Sequence, residues 1–296
     1  MNAMIYKNKK PLLLFLAPTF AFLLVFLYYP FVMNMYNSVN RIGGMGEASK
    51  GINSPWYLNY AKLFTDPLMI TSLKNTMWLM AFTIVFQVGI ALILALLIDN
   101  IQLGTKFFRT VYFFPIVISA TALGLLFNLV FLYDGGMLNQ FLMNAKITPE
   151  LIDWKDETHF FATMMIPVMW QYVGFYFVII VTGLNNISTD IYEAAEIDGA
   201  GGLKRVRYIT LPLLYNTLCT CLTLAITGAL KVFDLPWTML PGGMPMDQSW
   251  LTGTYMHYQT MSMADVDYGS TIAILIVVLG VVISQIAHWI FKEKDY

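Results

Sequence analysis

Thr76-Met-Trp-Leu-Met-Ala-Phe-Thr-Ile-Val-Phe-Gln-Val-Gly-Ile-Ala-Leu-Ile-Leu-Ala-Leu-Leu-Ile98 runs for 23 residues without a charge. A helix of about 20 apolar residues, rising 1.5 Å per residue, crosses a hydrocarbon layer about 30 Å thick. The run is continuous rather than alternating every second residue, which excludes a membrane barrel strand. Five further stretches share its character, at about Leu12–Met35, Thr110–Leu132, Phe160–Leu184, Pro212–Phe233 and Ser270–Phe291. Composition agrees. The 296 residues are 58% hydrophobic and 12% charged, against about 25% charged in a soluble domain, and the mean hydropathy is +0.63. The expected architecture is an all-α integral membrane protein of six transmembrane helices, with residues 1–296 forming a single transmembrane domain.

Charge sets the orientation. Lys7, Lys9, Lys10, Lys106, Arg109, Lys204, Arg205, Arg207, Lys292 and Lys294 all fall on the side that carries both termini. Arg41, Lys50, Lys62, Lys74, Lys146, Lys155 and Lys231 are spread over the longer loops of the other side. The positive-inside rule then makes both termini cytoplasmic. Loops 36–75, 133–159 and 234–269 face outward, and loops 99–109 and 185–211 face inward. The basic start and long apolar run of the first span read as a retained signal anchor, with no small-residue cleavage site after it. With 17 Lys and Arg against 18 Asp and Glu, nothing argues for nucleic acid as a partner. Cys219 and Cys221 are two residues apart in an apolar stretch and fit no metal spacing. His159, His257 and His288 are scattered. No catalytic group, metal site or cofactor is expected.

The second inward loop reads Ser188-Thr-Asp-Ile-Tyr-Glu-Ala-Ala-Glu-Ile-Asp-Gly-Ala-Gly-Gly-Leu-Lys-Arg-Val-Arg-Tyr-Ile-Thr-Leu-Pro212. Asp190 is a candidate N-cap with Glu193 three residues on, as in a capping box. Gly199 is a natural C′ stop. The short helix between them places Ile191, Ala194, Ala195 and Asp198 on one face, and the small alanines allow another surface to come close. Lys204, Arg205 and Arg207 mark the inner membrane surface, and Pro212 suits the first turn of the next span. Geometry alone leaves two readings open, a docking helix and an ordinary amphipathic connector.

Glu193-Ala194-Ala195, three residues, Gly199, nine residues, Ile209, one residue and Leu211-Pro212 together resemble the signature loop of the permease subunits of bacterial ATP-binding-cassette (ABC) importers. The likeness extends along the chain. Asn59-Tyr60, Asn75-Thr76, the run Phe107 to Pro115, Gly135-Gly136-Met-Leu-Asn139, Phe233-Asp234 and Tyr268-Gly269-Ser-Thr-Ile-Ala273 are similar to the carbohydrate-type permeases of the maltose and glycerol-phosphate kind. Gly242-Gly243-Met244-Pro245 departs from their pattern by one inserted Met. The resemblance implies a type I importer permease fold with 185–211 as the coupling loop, and Glu193, Ala194, Ala195, Asp198 and Gly199 as contacts to an ATPase. It implies a second related permease as heterodimer partner, an ABC ATPase dimer, an extracytoplasmic solute-binding protein, a carbohydrate substrate, and the plasma (inner) membrane of a bacterium as the location. It further implies a non-catalytic subunit, and no Gly-x-x-x-x-Gly-Lys-Ser/Thr phosphate loop is present to hold ATP.

Polar and aromatic groups within spans are the candidates for a substrate path, since burying them in lipid is costly. They are Ser119, Thr121, Gln171, Tyr172, Phe175, Tyr176, and the pair Lys231 and Asp234, three residues apart. Aromatic faces beside amides and hydroxyls suit sugars. Outer aromatics Trp56, Tyr57, Trp154, Trp237 and Trp250 are available either to a binding protein or to the membrane interface. A rival reading, an ion-coupled secondary transporter, requires a mid-membrane carboxylate and internal repeats, and no Asp or Glu lies deep in any span. An ABC permease for a non-carbohydrate solute stays open.

Overall fold

A computed structural model describes residues 10–99 and 105–290. Lys7, Lys9, the middle of the inner loop 99–109, Phe291, Lys292 and Lys294 lie outside the described residues. Among those described, the regular structure is helical, with one isolated bridge between Asn40 and Ile52. Leu12–Val39, Pro67–Ile98, Phe160–Asn185 and Val266–Ala287 are each long and apolar enough to cross a membrane. Two further crossings are bent pairs, Phe107–Val117 with Ala120–Val130 at 94° and Leu203–Leu213 with Tyr215–Ala229 at 69°. Counting each pair once gives six.

The bends fall within the spans expected at 110–132 and 212–233. In the first, Pro115 removes a backbone donor, and the helix ends at Val117. Ser119, with extended backbone, then caps the next segment, its Oγ accepting from the Ala122 N–H at 3.2 Å. In the second, Pro212 closes the first segment instead of opening the next, and Leu214 is the corner. The second span also begins earlier than its apolar run, at Pro67. Asp66 caps it by accepting from the Leu68 N–H at 3.0 Å, with proline in the first turn.

The chain divides into two units, residues up to 65 with 256–275, and residues 66–255 with 276 onward. In the first, the helix Leu12–Val39 has an entirely unburied apolar window. Its end is held by Ser38 Oγ bonded to Tyr60 Oη at 2.8 Å. Asn59 Nδ2 donates to Asp267 at 3.2 Å, and Lys62 pairs with Asp265 at 3.0 Å while lying over the Tyr268 ring.

The second unit is built around Phe160–Asn185. Leu79, Leu123, Met164, Val168, Met239 and Leu251 belong to one buried cluster, and Ala91, Ala95, Phe177, Ile180, Leu214 and Cys221 to another. Lipid tails supply no hydrophobic drive between helices, so close approach through small residues does the packing. Gly174 is the clearest case. A Cβ there would sit 1.7 Å from the Tyr112 carbonyl oxygen.

Contacts at the two ends of this unit differ in kind. At one end, Asn75 Nδ2 donates to the carbonyls of Gln248 and Trp250 at 2.6 and 2.9 Å. Tyr255 Oη donates to Asp66 at 2.6 Å. In the loop 133–159, buried Asn139 donates to the Tyr133 and Ile152 carbonyls and accepts from Trp154 Nε1, each at 2.9 Å. Burial holds the Lys155 ammonium below its ordinary value, with the Asp153 carboxylate pulling the other way. At the other end, Ile93, Leu96 and Leu97 face the segment 202–206. The helix Pro67–Ile98 thus meets residues 248–255 near its start and residues 202–206 near its end.

Candidate functional site

The short helix of the loop 185–211 forms at Thr189–Ile197. Its N-cap is Ser188, not Asp190. Ser188 has extended backbone and its Oγ accepts from the Asp190 N–H at 3.3 Å, leaving Asp190 in the first turn, where its charge favours the helix N-terminus. Asp198 is the C-cap and Gly199 follows at φ +73°. That left-handed backbone suits glycine, since a Cβ there costs roughly 1–2 kcal/mol. The Ala200 N–H reaches back to the Ala195 carbonyl at 2.8 Å, as in a Schellman stop.

Of the five residues assigned to docking, Glu193, Ala194, Asp198 and Gly199 are exposed. Ala195 is only 6% exposed and packs against its own chain. Ile197, 87% exposed, joins that outward surface, which the sequence reading leaves it out of. Its signal in the sequence is an apolar residue on a helix otherwise flanked by carboxylates. Tyr192 ties the helix to the segment after the glycines. Its Oη lies 3.5 Å from Thr210 Oγ1, and the Arg205 guanidinium lies 5.2 Å from its ring.

A cavity of about 200 Å3 with a few polar groups in a mostly apolar lining opens between Pro67–Ile98, Phe160–Asn185 and Tyr215–Ala229. It brings together Tyr172, Tyr176 and Lys231 of the expected path, and adds Thr83 and Gln87. Those two lie in a π-helical segment, Thr83–Val88. Such wide turns leave the regular hydrogen-bond ladder locally and are frequent at functional sites. Gln87 Nε2 donates to the Val168 carbonyl at 2.8 Å. The signal for them is a hydroxyl and an amide four apart near the middle of the apolar run 76–98. Ala225 and Gly228 keep the third wall low.

The other candidates lie elsewhere. Ser119 is used as a helix cap, and Thr121 is exposed on the next segment. Gln171 is buried, with its Nε2 3.5 Å from the Ile118 carbonyl, at the break in the third crossing. Phe175 packs edge-on against Tyr176. Lys231 and Asp234 make no ion pair with each other, because Asp234 starts a new short helix, Asp234–Met239. Among the outer aromatics, Trp250 is 1% exposed and so is unavailable to a partner protein, whereas Trp56 and Tyr57 stand exposed.

A helical membrane protein with two broken crossings, a cavity between three of its helices and a glycine-stopped short helix has the architecture of a type I ABC importer permease. Solved structures share it. The chain superposes with a TM-score of 0.84 on a chain of a bacterial alginate ABC transporter in complex with alginate pentasaccharide-bound periplasmic protein, at 22% identity over 96% of this chain and 94% of that one. It belongs to the family of binding-protein-dependent transport system inner membrane components, matched over residues 88–294. It is 30% identical to the probable ABC transporter permease protein YurN of Bacillus subtilis (strain 168), over 98% of both chains. It is 28% identical to the lactose transport system permease protein LacF of Rhizobium radiobacter, over 95% of this chain and 94% of that one. The chain is therefore a membrane-embedded permease subunit, working with a solute-binding protein.

Proposed function

We propose that this chain forms half of a carbohydrate pathway through a bacterial plasma membrane, as one permease domain paired with a second, related permease. Both termini are cytoplasmic, and an ATPase dimer on a separate pair of chains grips Glu193, Ala194, Ile197, Asp198 and Gly199. ATP binding draws the two ATPase subunits together, the helix Thr189–Ile197 moves with them as a lever, and the crossings rock between inward-open and outward-open arrangements. The observation that carries this reading is the short helix itself, capped at both ends, fastened through Tyr192, and exposed along Glu193, Ala194 and Ile197. Curated relatives named for lactose and for arabinooligosaccharides support a sugar as the solute. Tyr172, Tyr176, Thr83 and Gln87 offer the aromatic faces, amide and hydroxyl that a sugar ring requires.

The test is substrate-stimulated ATP hydrolysis by the assembled, reconstituted complex. Gly199→Val strains the left-handed stop and Glu193→Ala removes an exposed contact. Each is expected to lower stimulation about tenfold or more, the scale of a lost 1.4 kcal/mol contact. Stimulation unchanged in both variants refutes the lever. Tyr172→Ala is expected to alter uptake selectivity among sugars while leaving ATPase binding intact, and unaltered selectivity removes the cavity from the path.

A further inference from the structure

At the end of the second unit that carries the short helix, an apolar cleft of about 310 Å3 lies between Ile93, Leu96 and Leu97 on one side and Gly202, Leu203, Arg205 and Val206 on the other. Its walls are open. Leu203 is 83% exposed, and Ile93 and Leu97 are each more than half exposed. Arg205, half-buried, lines it, and its near neighbours in sequence, Lys204 and Arg207, are exposed. From Gly199 to Phe233 the sequence contains no carboxylate. Lys204 and Arg207 make no ion pair among the described residues.

We propose that this cleft holds an anionic phospholipid of the cytoplasmic leaflet, an acyl chain lying between Leu97 and Leu203 and the headgroup phosphate among Lys204, Arg205 and Arg207. Charge complementarity selects the occupant. An apolar slot lined by Arg205, in a stretch of sequence that also carries Lys204 and Arg207 and no carboxylate, matches a molecule with an apolar tail and an anionic head, and basic pockets between membrane helices on the cytoplasmic side are suited to such lipids. The site has a consequence for coupling. Arg205 also lies against the Tyr192 ring, so a phosphate that draws on its guanidinium acts on the group that fastens the lever helix. Anionic lipid thereby sets how firmly Thr189–Ile197 is held. This second step rests on the lever reading above, whereas the lipid site does not.

The experiment uses the assembled complex in nanodiscs of phosphatidylcholine alone or of phosphatidylcholine with phosphatidylglycerol. Lipid retained on the complex is read by native mass spectrometry, and substrate-stimulated ATP hydrolysis is read in parallel. The variants are K204Q/R207Q, which removes head contacts and leaves Arg205 on Tyr192, and Leu203→Gln, which makes the tail slot polar. Phosphatidylglycerol is expected to stay bound to the unaltered complex and to raise stimulated hydrolysis. Each basic residue near an anionic headgroup contributes about fivefold in affinity, so the double variant is expected to retain at least tenfold less of it and to lose the activation. Equal retention by the unaltered complex and both variants overturns the lipid site. Loss of the ATPase subunits from K204Q/R207Q in both lipid mixtures also overturns it, by assigning the surface to the ATPase. Selective retention without activation upholds the site and removes only the coupling step, which keeps failure of the lever separate from failure of the site.

Discussion

Gly174→Ala adds one methyl group where two backbones meet. The new Cβ would lie 1.7 Å from the Tyr112 carbonyl oxygen, 2.4 Å from its carbon and 3.0 Å from the Phe113 Cα. The first distance is about 1.7 Å short of ordinary van der Waals contact. Every neighbour is main chain, so no side chain can swing aside, and the helices Phe107–Val117 and Phe160–Asn185 must part. Parting them stretches the contact from Gln171 to the Ile118 carbonyl, already 3.5 Å long, and leaves that carbonyl unpaired at membrane depth. Overpacking of this kind costs about 1–3 kcal/mol, and an unsatisfied buried polar group adds about 1–3 kcal/mol. At roughly 2–4 °C per kcal/mol for a chain of this size, the apparent Tm of the purified complex should fall by on the order of 5 °C or more. Tryptophan fluorescence on heating reads it. Gly89→Ala is the control, a helical glycine whose added Cβ meets nothing within 4 Å, and it should leave Tm unchanged or slightly raised. If Gly174→Ala and Gly89→Ala behave alike, the close approach of these two helices is not what packs the unit.

Two further outcomes rest on hydrogen bonds. Ser188→Ala should destabilise the helix Thr189–Ile197 by about 1 kcal/mol, seen as faster amide exchange there, while Asp190→Ala should have a smaller effect; the reverse order would make Asp190 the cap after all. Asn139→Ala removes the partner of the Trp154 indole and of the Tyr133 and Ile152 carbonyls, so trypsin should cut the loop 133–159 at Lys146 or Lys155 at least tenfold faster, and an unchanged cleavage rate would show that the loop is held by other contacts.

The helical class and the number of crossings are legible because lipid imposes one rule on every residue of a span, and a run such as 76–98 states it locally. The stop at Gly199 is legible for a similar reason, since backbone handedness belongs to a single residue. The cap is not, because Ser188 and Asp190 both suit the role, and which one is used depends on where the preceding chain enters. The cavity is legible only in part. Tyr172 and Tyr176 lie on the central helix and stand out in the sequence, but Gln87 is one polar residue in an apolar run until the fold places it opposite Val168. Ser119 and Gln171 read as path residues because they are polar within a span, whereas both serve the broken third crossing.

Taken alone, the amino-acid order determined that this chain lives in a bilayer, crosses it repeatedly, and carries a short helix with a fixed end on one side, because those properties come from hydrophobicity, charge and backbone preference counted along the chain. Tertiary structure decided which polar groups share a cavity, where the third and fifth crossings bend, and which face of the short helix is free. Those outcomes depend on contacts between residues far apart in sequence, such as Gly174 against Tyr112 and Tyr192 against Arg205, whose partners no local pattern names.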